Sequence, residues 1–121
     1  MRGRKPFILT EQERPVLRKK VLSALKPGKR TAITGKELAR LCNRADDRLI
    51  RVTIEELIQE GVPVAASVSE PYGFYIVSNS VEAAEYIRVL QGRKREIELR
   101  LEHFERACQT MEGIPRQPSL V

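Results

Sequence analysis

The chain has 121 residues and a net charge of +6, with 22 Lys and Arg, 16 Asp and Glu, and a single histidine. That length allows one domain with an appendage and excludes two full cores. No apolar run approaches the roughly 20 residues that span a bilayer, and MRGRKPF has no apolar stretch behind its charges, so a soluble, cytoplasmic protein with no membrane partner is expected.

The charge is unevenly placed. Residues 1–30 hold ten Lys and Arg against two acids, or +8, and the remainder holds twelve against fourteen, or −2. Between Val52 and Ile87 there is no Lys or Arg. Cys42 and Cys108 lie in separate helical patterns, which suits reduced core thiols. With His103 alone and no CxxC or HxxxH spacing, no metal, cofactor or catalytic residue is expected.

Residues 1–9, MRGRKPFIL, lack periodicity and are read as a flexible basic arm. Arg2-Gly3-Arg4 resembles the core of an AT-hook, whose glycine lies flat in the minor groove while its arginines enter the negative potential. Lys5 stands where the hook has proline. The simpler reading stays open beside it, with Arg2, Arg4 and Lys5 neutralising phosphates without selecting sequence.

Proline favours a first helical turn and disfavours helix in the residue before it, so the first helix is expected to begin near Pro15. Leu17, Val21, Ala24 and Leu25 form its buried stripe. Arg18, Lys19 and Lys20 lie largely outside that stripe, and Arg18 is assigned to DNA. KPGK ends the helix. In ITGKEL, Thr34 is placed to accept the Glu37 N–H while the Glu37 carboxylate reaches back, and Ile33 staples onto Leu38. A short second helix follows, burying Leu38, Leu41 and Cys42.

NRAD turns the chain and Asp46 caps a third helix, with Ile50, Ile54, Leu57 and Ile58 inward and Arg48, Arg51, Val52 and Glu55 outward. Gly61 stops it. VPVAASV (62–68) and GFYIV (73–77), joined by SEPY, predict a hairpin, with Pro63 at an edge. Phe74 and Ile76 should face the core, and Tyr75 and Val77 the other side.

After SNS, residues 80–112 predict a long helix with a heptad seam. Ile87, Lys94, Leu101 and Cys108 take a positions, and Ala83, Leu90, Ile97, Phe104 and Met111 take d positions. Arg93 and Arg100 at g then meet Glu98 and Glu105 at e in a parallel homodimer. The alternative is a bend at Gly92 that folds the helix back on its own domain. Residues 113–121, with two prolines, are read as a tail.

Three helices and a hairpin over residues 10–79 make a winged helix-turn-helix, in a chain that is otherwise mainly α. TGKELARLCNRADDRLIRVTIEELIQEGVPV followed by PYGFYIV resembles the winged-helix domain of biotin-operon repressors and the related type-eleven helix-turn-helix domains of bacterial and phage proteins. The resemblance covers about half the chain. It implies that the third helix enters the major groove and that the wing approaches the adjacent backbone. RGRK has a superficial likeness to the glycine-arginine loop of the ligases in that family, but it precedes the winged helix and no catalytic domain follows, so no enzyme activity is expected.

Two readings of function follow. In the first, the chain is a duplex DNA-binding protein, a regulator or a phage or plasmid maintenance factor. Arg44, Arg48 and Arg51 meet bases or phosphates, Asp47 accepts from a cytosine amino group, and Val52 touches a thymine methyl. Lys36 and Arg40, with the helix start at Thr34, position the domain on phosphates or are ordinary solvated charges. In the second, the winged helix is a protein-docking module of a replication or recombination assembly. Two features favour it: SVSEPY offers Glu70 and no positive charge, and Asp46, Asp47, Glu55, Glu56 and Glu60 outnumber Arg48 and Arg51.

Overall fold

The structure is a computed structural model and describes residues 9–111; Arg2, Arg4, Lys5 and the tail expected at 113–121 lie outside the described residues. Among those described, the order is α1 (Glu13–Ala24), a 3-10 turn (Lys29–Thr31), α2 (Gly35–Leu41), α3 (Arg48–Gln59), β1 (Val64–Ser67), β2 (Gly73–Ile76) and α4 (Ser80–Gln109). The chain is mainly helical, with a two-stranded antiparallel hairpin and a long C-terminal helix. No helix among the described residues is long and apolar enough to cross a membrane. Two compact units, Met1–Tyr86 and Ile87–Val121, divide the chain inside α4.

In the first unit α1 begins ahead of Pro15. The Thr10 hydroxyl accepts from the Glu13 N–H and the Glu13 carboxylate accepts from the Thr10 N–H, both at 3.1 Å, while the Arg14 N–H donates to the Thr10 carbonyl. This reciprocal capping box starts the chain into the helix, and Pro15, whose φ is fixed near the helical value, falls in its first turns. Leu17, Val21 and Leu25 are buried as expected, with Ala24 packed against them.

At α2 the box forms by half. The Thr34 hydroxyl accepts from the Glu37 N–H at 3.1 Å, but the Glu37 carboxylate turns to the Arg40 guanidinium. The buried face is Leu38, Ala39 and Cys42, whereas Leu41, expected inside, is 56% exposed. At about 100° per residue, Ala39 and Cys42 centre the face on the side of Leu38 away from Leu41. The same geometry corrects α3. Ile50, Thr53, Ile54 and Leu57 are buried, and Ile58 lies about a quarter turn off their centre and is exposed. The Thr53 hydroxyl is satisfied by donating to the Leu49 carbonyl at 2.7 Å.

β1 pairs antiparallel with β2 in the register Val64↔Ile76, Ala65↔Tyr75, Ala66↔Phe74 and Ser67↔Gly73. The other edge of β2 is occupied too. Ile33 and Phe74 exchange N–H···O bonds of 2.9 and 2.7 Å, and Ile76 bonds to Gly28 and Lys26 at 2.8 and 2.9 Å. Phe74 and Ile76 pack on the core as expected. Tyr75, expected on the outer face, is only 1% exposed. Burial pushes its phenol pKa up, and the nearby carboxylates of Glu82 and Glu85 push it further. The first turns of α4 therefore belong with this face.

Asn79 starts α4, its side chain accepting the Glu82 N–H at 2.9 Å and its carbonyl the Ala83 N–H at 3.1 Å. Glu82 in turn accepts from the backbone N–H groups of Lys29 and Ser78, each at 2.9 Å, and Glu85 pairs with the Lys29 ammonium at 3.0 Å. The backbone N–H of Lys29, then that of Ser78, holds the Glu82 carboxyl below its ordinary range.

In the second unit α4 continues unbroken through Gly92. A Cβ built on Gly92 meets nothing within 4 Å, whereas one on Gly73, at φ +129°, lies 2.3 Å from the backbone of Ile33.

Two stability predictions follow from these contacts. Gly73→Ala should lose more than about 2 kcal/mol in denaturant unfolding, through strain and a backbone clash. Gly92→Ala should gain about 1 kcal/mol of helix stability; equal effects at the two glycines would contradict the packing described. Because the Glu82 pKa is depressed on folding, its stabilisation is present above the unfolded value of about 4.3 and is lost as pH falls through the folded value. The melting temperature of Glu82→Gln should lie below that of the parent at neutral pH, and the gap should close in acid. A gap of constant size from neutral pH down to about pH 3 would show that the carboxylate charge contributes nothing.

Candidate functional site

The exposed side of α3 begins at its first turn. The Asp46 carboxylate accepts the Arg48 N–H at 3.1 Å, so Asp46 caps the helix through an Asx turn. Arg48, Arg51 and Val52 project outward, as expected, with Glu55 beyond them. The arginines are not bare. Asp47 Oδ2 lies 2.9 Å from Arg51 Nε, and Asp46 Oδ2 lies 3.5 Å from Arg48 Nη2. The Arg51 guanidinium also sits 5.4 Å from the centroid of the Phe74 ring, which holds its stem between α3 and the hairpin.

The start of α2 adjoins this cluster. A Cβ on the buried Gly35 would lie 2.7 Å from Asp47 Oδ2 and 3.4 Å from Arg51 Nη2, so glycine is what lets the two helices approach there. Thr34 is the cap of α2, Lys36 is exposed, and Arg40 is held by Glu37. Arg44 lies in the turn between α2 and α3, half-buried. It opposes, with Lys20, the burial that pushes the Cys42 thiol pKa up. Cys42 is a core thiol; Cys108, expected to be one, is partly exposed on a helix with no buried residue.

Arg18 falls elsewhere. Its Nη2 lies 3.1 Å from Glu56 Oε1 and its Nη1 lies 2.6 Å from Glu60 Oε2, while Arg14 Nη1 holds Glu56 Oε2 at 2.7 Å. The Arg18 Nε is buried with no hydrogen-bond partner. Arg18, assigned to DNA from the sequence, here forms with Arg14 an interhelical clamp between α1 and α3. Arg14 and Arg18 repeat at i, i+4 and so do Glu56 and Glu60. That matched spacing was the signal for the clamp.

The clamp also changes the count of acids on α3, since Glu56 and Glu60 are matched by α1. Of the acids in the span without Lys or Arg, Glu82 and Glu85 are likewise engaged by Lys29. Ser67 is buried, its hydroxyl donating to the Ser69 carbonyl at 2.6 Å, and the exposed tip of the hairpin is Val68, Ser69, Glu70, Pro71 and Tyr72.

The structure thus gathers Thr34, Lys36, Asp47, Arg48, Arg51 and Val52 around the starts of α2 and α3, with Arg40 on α2 and Arg44 in the turn that joins the two helices. No protein-family model, curated protein or solved structure matches the chain. As a test of the clamp, Arg18→Ala should lower unfolding stability by about 1 kcal/mol and leave the salt dependence of any duplex binding unchanged. A shallower salt slope would return Arg18 to the interface.

Proposed function

We propose that the first unit is a winged helix-turn-helix of the type its sequence resembles and that it binds duplex DNA through the N-terminal half of α3. The observation that carries this reading is the division of charge on α3. Arg48, Arg51 and Val52 occupy the exposed first turns, while Glu56 and Glu60, near the other end, are neutralised by Arg14 and Arg18. A recognition helix places its first turns against base edges, where arginine reads guanine and a small apolar group meets the thymine methyl. Lys36 and the α2 start lie beside the same face and suit phosphate contacts.

The pairing of Arg51 with Asp47 refines the mechanism. In water the aspartate and the Phe74 ring hold the guanidinium extended, so less side-chain entropy is lost on docking. On DNA the same carboxylate disfavours phosphate and rewards a base edge that donates a hydrogen, which favours selectivity over raw affinity. A second reading, a protein-docking module of a replication or recombination assembly, rests on the hairpin tip. Val68 and Tyr72 are exposed there beside Glu70, with no basic residue to meet a phosphate.

Mobility shift with random and selected duplexes across a salt series tests the choice. Steep salt dependence together with a preferred sequence supports DNA binding; no duplex binding at low salt moves the function to the tip. Arg51→Ala should cost about 1 to 3 kcal/mol on the preferred site and relax one base pair. An equal loss on every sequence would make Arg51 a phosphate contact.

A further inference from the structure

We propose that residues 87–109 of α4 pair, in parallel and in register, with the same segment of a second copy of this chain. The helix contributes no buried residue. Its a and d positions run in alternating steps of three and four from Ile87 through Leu90, Lys94, Ile97, Leu101 and Phe104, and the apolar ones among them are between 45% (Leu90) and 66% (Phe104) exposed. A seam with that repeat is the surface a second helix covers by knobs-into-holes packing. Exposed apolar area this continuous is unusual on a chain that stays alone.

Charge identifies the occupant. Arg93, Glu98, Arg100 and Glu105 flank the seam, and none makes an ion pair among the described residues. The ion pair that α4 does form in this unit, Arg106 with Glu102 at 3.9 Å, lies away from the seam at f and b positions. In a parallel pair Arg93 meets Glu98 of the partner subunit and Arg100 meets Glu105 of the partner subunit. An antiparallel pair sets arginine against arginine and glutamate against glutamate. A single sequence thus supplies both halves of the match, which is what a two-fold interface requires. Lys94 at an a position buries its stem and sends its ammonium outward, lowering stability and disfavouring larger bundles. The result is a reversible dimer. Both copies of the N-terminal unit are then attached to the same end of the pair. One consequence, an inverted repeat as the DNA target, rests on the DNA-binding reading; the dimer does not.

The test uses the whole chain without DNA, so its failure is distinct from failure to bind a duplex. Sedimentation from about 1 to 100 μM should show a concentration-dependent dimer. Leu101→Asp alters no buried position, and should raise the dissociation constant at least about tenfold while circular dichroism shows the first unit folded. Arg100→Glu should also weaken the dimer, and adding Glu105→Arg to the same chain should restore it. Orientation is read from Cys108, which meets its own copy only in the parallel register. Copper-phenanthroline in air should join the two thiols, whose two protons and two electrons pass to oxygen, into a covalent dimer that Cys108→Ala abolishes. A monomer throughout, a dimer indifferent to Leu101→Asp, or a dimer that Cys108 does not cross-link would each overturn the proposal.

Discussion

Gly73 brings the backbone of β2 against the backbone of Ile33, and much of the first unit takes its position from that approach. A side chain there would overlap the Ile33 carbonyl group. With glycine, Ile33 and Phe74 exchange two backbone hydrogen bonds, and the next residue, Thr34, is already the cap of α2. Phe74 meanwhile presents its ring to Arg51 on α3. One close contact between main chains therefore sets the hairpin, the start of α2 and an outward arginine of α3 relative to each other. Polar groups of the connecting segment are satisfied in the process, which allows an irregular stretch containing Pro27 and Gly28 to line a strand.

Electrostatics divides this unit into a matched side and an adaptable side. Arg14, Arg18 and Lys29, all from the strongly basic beginning of the chain, turn to Glu56, Glu60, Glu82 and Glu85. Such partly exposed pairs contribute little individually to stability. Their larger effect is to remove both signs from the surface, so the +8 of residues 1–30 overstates the field that an approaching polyanion meets. On α3 itself, Arg48 and Arg51 sit beside the aspartates Asp46 and Asp47.

The second unit follows a different physical rule. No residue of the helix after Tyr86 is buried among the described residues. Its apolar repeat and its flanking charges are the features on which the proposed dimer rests. The first turns of the same helix obey the opposite rule, tied by Glu82 and Glu85 to Lys29 and lying beside the buried Tyr75. The boundary between units falls inside α4 for this reason.

Local chemistry was legible in the residues alone. Capping at Thr34 and Asp46, the stop at Gly61, the stripe of Leu17, Val21 and Leu25, and the outward set of Arg48, Arg51 and Val52 all depend on neighbours within a few positions. The Thr10 to Glu13 box was equally local and was hidden only by the weight given to Pro15. What the tertiary structure decided depends on residues far apart in sequence. Arg18 faces a clamp 38 and 42 residues away, Tyr75 is buried because α4 begins beside its face, and Leu41 and Ile58 are exposed because a small rotation chose Ala39 and Thr53 instead. Periodicity fixes which residues share a face to within a fraction of a turn, but the neighbour that covers the face sets its centre. Charge pairing carries still less local signature, since a guanidinium reaches whichever carboxylate the packing brings within a few ångströms.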